Sequence, residues 1–208
     1  MTRLLLAALL AYVPAAGSLL RKAAERAQAL GKAKEVTLTG TLTVTGEAPR
    51  GAQLVLRFPL QCTLAGAEGV ALQMVQLACP LLTFRSVPKE KEADNAIRNA
   101  ALAAGVDLAA PSSISRLSDR AVYVVGAGPR DLSRPQLWLY KDSHAPARLI
   151  AKEGTDLRLL QYGNPAALDW FPRVVELWNA GQLAARFEVL EAKGTRTSGE
   201  EEEDDSGQ

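Results

Sequence analysis

The sequence predicts a mainly β, α+β fold: a long antiparallel sheet with one aliphatic face, set against a few short helices. Three observations predict it. Residues 36–46 read VTLTGTLTVTG, with Val36, Leu38, Gly40, Leu42 and Val44 at even positions and threonine at the odd positions from Thr37 to Thr45. Strand side chains alternate between faces, so this stretch makes one greasy face and one hydroxyl face. From Arg120 onward, short apolar runs alternate with Gly, Pro, Asn and Asp turns, the pattern of an antiparallel meander. Only two segments carry a clean helical period, and both are rich in alanine. At 208 residues, with 48% hydrophobic and 23% charged residues, the chain has the size and composition of one globular domain.

The N-terminus opens MTR, continues LLLAALLAYV and reaches PAAGS. A basic start, a short apolar run and small residues are the layout of a secretory signal, here residues 1–17 with cleavage near Ala15–Gly17. An amphipathic first helix is the other reading. The apolar run is too short to span a bilayer comfortably, and no cysteine follows it to accept a lipid anchor. The domain proper is assigned to residues 18–194. It starts with a helix, SLLRKAAERAQALG, whose Leu19, Leu20, Ala23, Ala27 and Leu30 share one side and whose Gly31 is a suitable stop. The threonine-rich strand follows, then a turn at Gly46–Gly51. A second strand is expected over Gln53–Leu64, bent or at an edge because Pro59 cannot donate to a ladder.

VALQMVQLACPLL reads as a strand passing into a short helix, and Pro88–Gly105 reads as a helix with Ala93, Ile97, Ala100, Ala101 and Ala104 on its apolar side. Strands then follow in RAVYVV, QLWLYK, ARLIAK, DLRLLQY, RVVELWN and LAARFEVLEA. Residues 195–208 are polar and acidic without apolar anchors, which predicts a disordered tail. Cys62 and Cys79, the only cysteines, are expected to form a disulfide if the chain is exported; two buried thiols are the alternative.

Register identifies the buried face. Pairing Lys141 with Ala147 sets Leu139 against Leu149 and Tyr140 against Arg148; continuing through EGT sets Leu149 against Leu159 and Ile150 against Arg158. In the last hairpin, Leu177 meets Ala185, Val175 meets Phe187, and Glu176 meets Arg186 as a cross-strand ion pair. A one-residue slip would set Arg186 against Val175, which favours this register. The result is a one-sided sheet that needs a cover.

Several function classes find no support. Two thiols and His144, the single histidine, are too few ligands for a metal site, and no cofactor motif is present. GAGPRD at Gly126–Asp131 lacks the following helix of a dinucleotide loop and reads as a hairpin turn. His144 sits in the DSHAP turn as an exposed residue, with no nucleophile beside it and Asp142. Six of the 23 acidic residues lie in Glu200–Asp205, so the rest of the chain is mildly basic, but its basic residues are scattered and no nucleic-acid site is indicated. No catalytic residue is assigned, and the chain is not read as an enzyme.

The last third, QLWLYKDSHAPARLIAKEGTDLRLLQYG followed by DWFPRVVELWNAGQLAARFEVLEAK, is similar to the C-terminal half of outer-membrane lipoprotein-sorting proteins, the LolA/LolB-type superfamily of periplasmic carriers. The matching features are the strand with Trp138, the hairpin around Pro146 and Arg148, and Phe171-Pro172-Arg173 at the start of a strand. The leader, first helix and TLTGTLTV strand fit the same plan in order. The resemblance implies a strongly curved antiparallel sheet forming an unclosed β-barrel, its concave face covered by short helices. It further implies a periplasmic carrier that shelters acyl chains of lipoproteins or phospholipid by reversible, non-covalent binding, with transient membrane-surface contact. The expected cavity lining is Val36, Leu38, Leu42, Leu54, Leu56, Phe58, Leu137, Leu139, Leu149, Leu159, Val175, Leu177 and Phe187. Arg173 is the candidate head-group contact, a sheet-capping arginine in solvent being the other reading. Envelope sensors share the scaffold, so a protein that uses its convex face, binds envelope partners and carries no lipid is the alternative function.

Overall fold

The computed structural model describes residues 13–27, 33–58, 60–84, 90–163 and 171–196. The core of the expected signal (residues 1–12), the Gly31 stop, Pro59, Pro88 and residues 197–208 of the acidic tail lie outside the described residues. Ten strands form one sheet: β1 Ala33–Val44, β2 Arg50–Arg57, β3 Gln61–Leu64, β4 Ser113–Leu117, β5 Arg120–Val125, β6 Gln136–Tyr140, β7 Pro146–Ile150, β8 Asp156–Tyr162, β9 Pro172–Asn179 and β10 Gln182–Arg196. Their order is β3-β2-β1-β10-β9-β8-β7-β6-β5-β4, every pairing is antiparallel, and the sheet does not close: β3 and β4 are its edges. Three helices, α1 Ala16–Ala27, α2 Gly69–Thr83 and α3 Glu90–Ala103, cover one face.

Two elements differ from their sequence expectation. Residues 53–64 are not one bent strand but two antiparallel strands, β2 and β3, in which Leu56 faces Cys62 and Arg57 faces Gln61. Leu60, just before β3, adopts a φ of 57°, in the left-handed region, which suits a tight reversal of the chain. The segment after it is helical from Gly69 on, with no leading strand. Ala, Leu, Met and Gln are good helix formers, and Ala71, Met74, Val75, Ala78, Leu81 and Leu82 fall on one buried side at helical spacing. The disulfide Cys62–Cys79 ties α2 to the edge strand β3. Closing a loop of 17 residues stabilises the fold by about 3 kcal/mol on the chain-entropy model.

The long pairing of β1 with β10 joins the two ends of the domain. A bulge interrupts it where Thr39 pairs with Glu191 but Gly40 pairs with Val189, leaving Leu190 as the extra residue, 74% exposed. This bulge exchanges the faces along β10: Ala185, Phe187 and Val189 point to the helices, whereas beyond it the residues facing Leu38 and Val36 are Ala192 and Gly194. Gly40 is required there. A Cβ at this position would lie 1.9 Å from the Glu188 carbonyl oxygen and 2.8 Å from its carbon.

In the last hairpin Leu177 faces Ala185, Val175 faces Phe187 and Glu176 faces Arg186, as the register argument requires. The first two hairpins of the meander are offset by two residues from expectation. Leu137, not Leu139, faces Leu149, and Leu149 faces Leu157, not Leu159. Each offset is set by its own turn. That of β7 with β8 is set by Ala151–Thr155, where Ala151 donates its N–H to the Thr155 carbonyl at 2.8 Å and Glu153 and Gly154 take φ of 69° and 76°. That of β6 with β7 is set by the turn after Tyr140. His144 takes a φ of 55° and donates its N–H to the Tyr140 carbonyl, closing the hairpin earlier, and a bulge follows between Trp138 and Leu139. A shift of two preserves which face each side chain occupies.

Candidate functional site

The helix-covered face is built from two cross-strand rows. Val44, Ala185, Leu177, Leu157, Leu149, Leu137 and Val125 stand directly opposite one another on seven successive strands from β1 to β5 through β10. At about 4.8 Å between strands this row is about 29 Å long. Beside it run Leu42, Phe187, Val175 and Leu159. Every member of both rows belongs to one apolar cluster, in which α1 contributes Leu19 and Leu20, α2 Met74 and Leu81, and α3 Ile97 and Ala101.

All thirteen residues expected to line a cavity lie on this face. Twelve are buried, and Phe58, in the β2–β3 turn, is half-buried against the same cluster. The helices press directly on them, so side chains of α1, α2 and α3 occupy the space expected of a continuous hollow. A cleft of about 370 Å³ persists between α2, α3 and the link from β7 to β8, and of the thirteen only Leu149 lines it. That volume is at the small end of ligand pockets. Its walls are Leu77 and Pro80 of α2 and Ala100 and Ala103 of α3; its rim carries Gln73, Gln76, Lys152, Glu153 and Thr155. Arg173 is the second residue of β9, half-buried and on the same parity as Val175 and Leu177.

The opposite face is charged through its middle strands and carries a second, smaller apolar cluster of Val122, Val124, Trp138, Tyr140, Ala145 and Ala147 over β5–β7. Trp138, Arg148, Arg158, Glu176, Arg186 and Thr43 form one cross-strand row from β6 to β1. Arg148 and Arg158 face each other, an unfavourable pair of like charges. Asp156, one step along β8, resolves it: Arg148 donates Nε and Nη2 to its two oxygens at 2.7 Å each, and Arg158 donates Nη2 to Oδ2 at 2.9 Å. Arg148 lies over the Trp138 ring and Arg158 over the Trp178 ring. Arg186 donates to Glu176 at 2.8 Å, the pair the register predicts. The Asp156 network is a feature that sequence reasoning missed. Its signal was the DLR spacing in β8, which places Asp156 and Arg158 on one face.

His144 is buried, at 6% exposure, against the ring of Tyr123, and not exposed in its turn as expected. The left-handed backbone at this residue turns its ring inward. Arg120 stacks on Tyr140 and grips Asp142 with two bonds of 2.7 and 2.8 Å. Burial raises the Tyr140 phenol above its ordinary value, with Arg120 opposing. For Asp142, burial alone would raise the carboxyl, but the bonds and charge of Arg120 outweigh it and hold it below the ordinary aspartate value. A depressed carboxylate contributes stability above the unfolded pKa and loses it as pH falls through the folded one. Replacing Arg120 with Gln therefore moves the Asp142 midpoint upward in an NMR titration; an unchanged midpoint would contradict the assignment.

The described residues contain no group of three or more metal-capable side chains and no helix long and apolar enough to cross a membrane. What the fold and site define is an open ten-stranded antiparallel sheet whose aliphatic face is roofed by three helices. Among solved structures the chain is similar to a LolA superfamily protein from Nitrosomonas europaea, at 12% identity and a TM-score of 0.41, with 87% of this chain and 94% of that one covered. It is also similar to a putative outer membrane lipoprotein-sorting protein domain from Vibrio parahaemolyticus, at 10% identity and a TM-score of 0.43, covering 90% and 95%. A third similarity is to the Pseudomonas aeruginosa MucA/MucB complex, at 17% identity and a TM-score of 0.26, covering 89% of this chain and 59% of that one. No family model and no curated protein matches the sequence.

Proposed function

We propose that the protein is an exported, periplasmic carrier that shelters an acyl chain of a lipoprotein or phospholipid between its sheet and its helices, by reversible binding without covalent chemistry. The single observation that carries this reading is the unbroken aliphatic row across seven strands. It is about 29 Å long, against the ~15 Å that one leaflet of a bilayer's hydrocarbon core measures. Each methylene moved from water onto such a surface contributes about 0.8 kcal/mol, so a long chain gains on the order of 10 kcal/mol before ordering costs.

In the structure the helices occupy that surface, so loading requires them to move. Their attachment is unequal. The disulfide fixes α2 to β3, whereas α1 and α3, which pack on each other, have no covalent tie to the sheet among the described residues. Lifting α1 and α3 uncovers Leu19, Leu20 and Ile97 but breaks no covalent bond, and a bound acyl chain would re-cover the apolar sheet beneath them. The disulfide and the leader-like N-terminus fit an oxidising, exported setting. Arg173, outside the α2–α3 cleft, is the sequence's candidate for a head-group contact.

Native mass spectrometry of protein purified from cells that export it tests the reading. The expected spectrum contains adducts with the masses of acyl lipids, released by gentle activation. A spectrum with bound protein partners and no lipid would instead support an envelope interaction protein.

A further inference from the structure

We infer that the cleft between α2 and α3 is the doorway to the interior and that it takes a single-chain amphiphile with a zwitterionic phosphoethanolamine end. This inference rests on the carrier reading and gives it an entrance and a preferred polar group. Leu149 belongs to the aliphatic row and lines the cleft, so the opening is continuous with the inner face. Ala100 and Ala103 keep the α3 wall low, and Leu77 makes the opposite wall apolar. Inside the rim, the residues between the mouth and Leu149 are uncharged.

The rim carries one cation and one anion, Lys152 and Glu153, both exposed and neither in an ion pair among the described residues. Lys152 is held in place. Its N–H donates to the Ala104 carbonyl at 3.1 Å, and its stem lies against Gly105, where a Cβ would come within 2.6 Å of its Cε. Glu153 has a φ of 69°, a conformation rarely taken by residues other than glycine. A purely anionic end meets Glu153 and a purely cationic end meets Lys152, whereas an end with both charges satisfies the two together. Pro80, inside α2, has no N–H for the Gln76 carbonyl four residues earlier, and both residues line the cleft. That carbonyl suits a primary ammonium, which donates hydrogen bonds; a quaternary ammonium cannot.

The test is calorimetric titration of the full chain with lysophosphatidylethanolamine below its micelle concentration, beside lysophosphatidylglycerol and lysophosphatidylcholine. The wild type is expected to bind the first about tenfold more tightly than the other two. Ala103→Trp, which fills the cleft from an exposed position, should weaken binding at least about tenfold. Leu102→Trp, on the exposed side of α3, should bind as the wild type does, and both variants should melt like it. If Ala103→Trp is destabilised, Ala103→Leu supplies the graded equivalent. Unaltered binding by the cleft-filled variants overturns the doorway while leaving the carrier reading intact. Equal affinity for the three lipids overturns the polar-group assignment. A wild type that binds none of them, and carries no lipid in native spectra, overturns the carrier reading as well.

Discussion

Gly40→Ala lowers the stability of the fold by about 3–5 kcal/mol, a loss at the severe end for one methyl group. The added Cβ would sit 1.9 Å from a backbone oxygen of β10, and a backbone atom in the middle of the longest strand pairing cannot step aside as a flexible side chain would. The strain falls on the bulge that lets β10 keep apolar residues inward along Ala185–Val189. Urea unfolding measures the effect, and the melting temperature should fall by about 10 °C for a domain of this size. Gly51→Ala is the control. Nothing lies within 4 Å of a Cβ there, so its stability should change by no more than about 0.5 kcal/mol. Equal behaviour of the two variants would show that the close approach of β1 and β10 is not real.

Asp156→Ala is expected to cost about 3–5 kcal/mol, because it leaves Arg148, a buried charge, facing Arg158 with no counter-ion between them. The size of the loss reflects the uncompensated guanidinium more than the value of the bond. Two further variants separate these. Asp156→Asn retains the shape and should recover part of the loss. Replacing Arg148 with Met and Asp156 with Leu together removes the buried charge and should recover most of it. If the double replacement is as unstable as Asp156→Ala, the network acts through geometry and not through the desolvated charge.

Much of the architecture was legible because a sheet with one dry face leaves a period-two record in sequence. The apolar even positions of β1 and β2 reach the helix-covered side, as do, up to the β10 bulge, the odd positions Leu137, Leu139, Leu149, Leu157, Leu159, Val175, Leu177, Ala185 and Phe187. Ala147, displaced by the β6–β7 bulge, and the residues of β10 beyond Leu190 do not keep that parity. The Glu176–Arg186 pair was readable for the same reason: only one register keeps charge opposite charge. The misread details are those that one or two left-handed residues decide. Leu60 turns an expected bend into a hairpin, His144 shifts the β6–β7 pairing by two residues, and Glu153 with Gly154 does the same for β7–β8. Leucine rarely takes such a conformation, and histidine, which takes it more often, does so far too seldom for its presence alone to mark the turn. The strand β4, SISRL, is short and half-exposed with hydroxyls on one side, and gave no periodic signal. Pairing of β1 with β10 left no trace either, since two strands separated by the whole domain share no turn. Whether helices fill or spare the inner face depends on side-chain volumes summed over three elements. Period alone does not carry that sum, and the cleft beside Leu149 is what the packing leaves.

The central claim is that an acyl chain lies along the aliphatic row. A fatty acid carrying a photoreactive diazirine on its chain, crosslinked to the intact protein and mapped by peptide mass spectrometry, tests it directly. The account predicts labels on Leu149, Leu157 and Leu177, suppressed by excess unlabelled fatty acid. Labels confined to the Trp138–Arg186 face or scattered over the surface, with the inner row untouched at saturation, would contradict it.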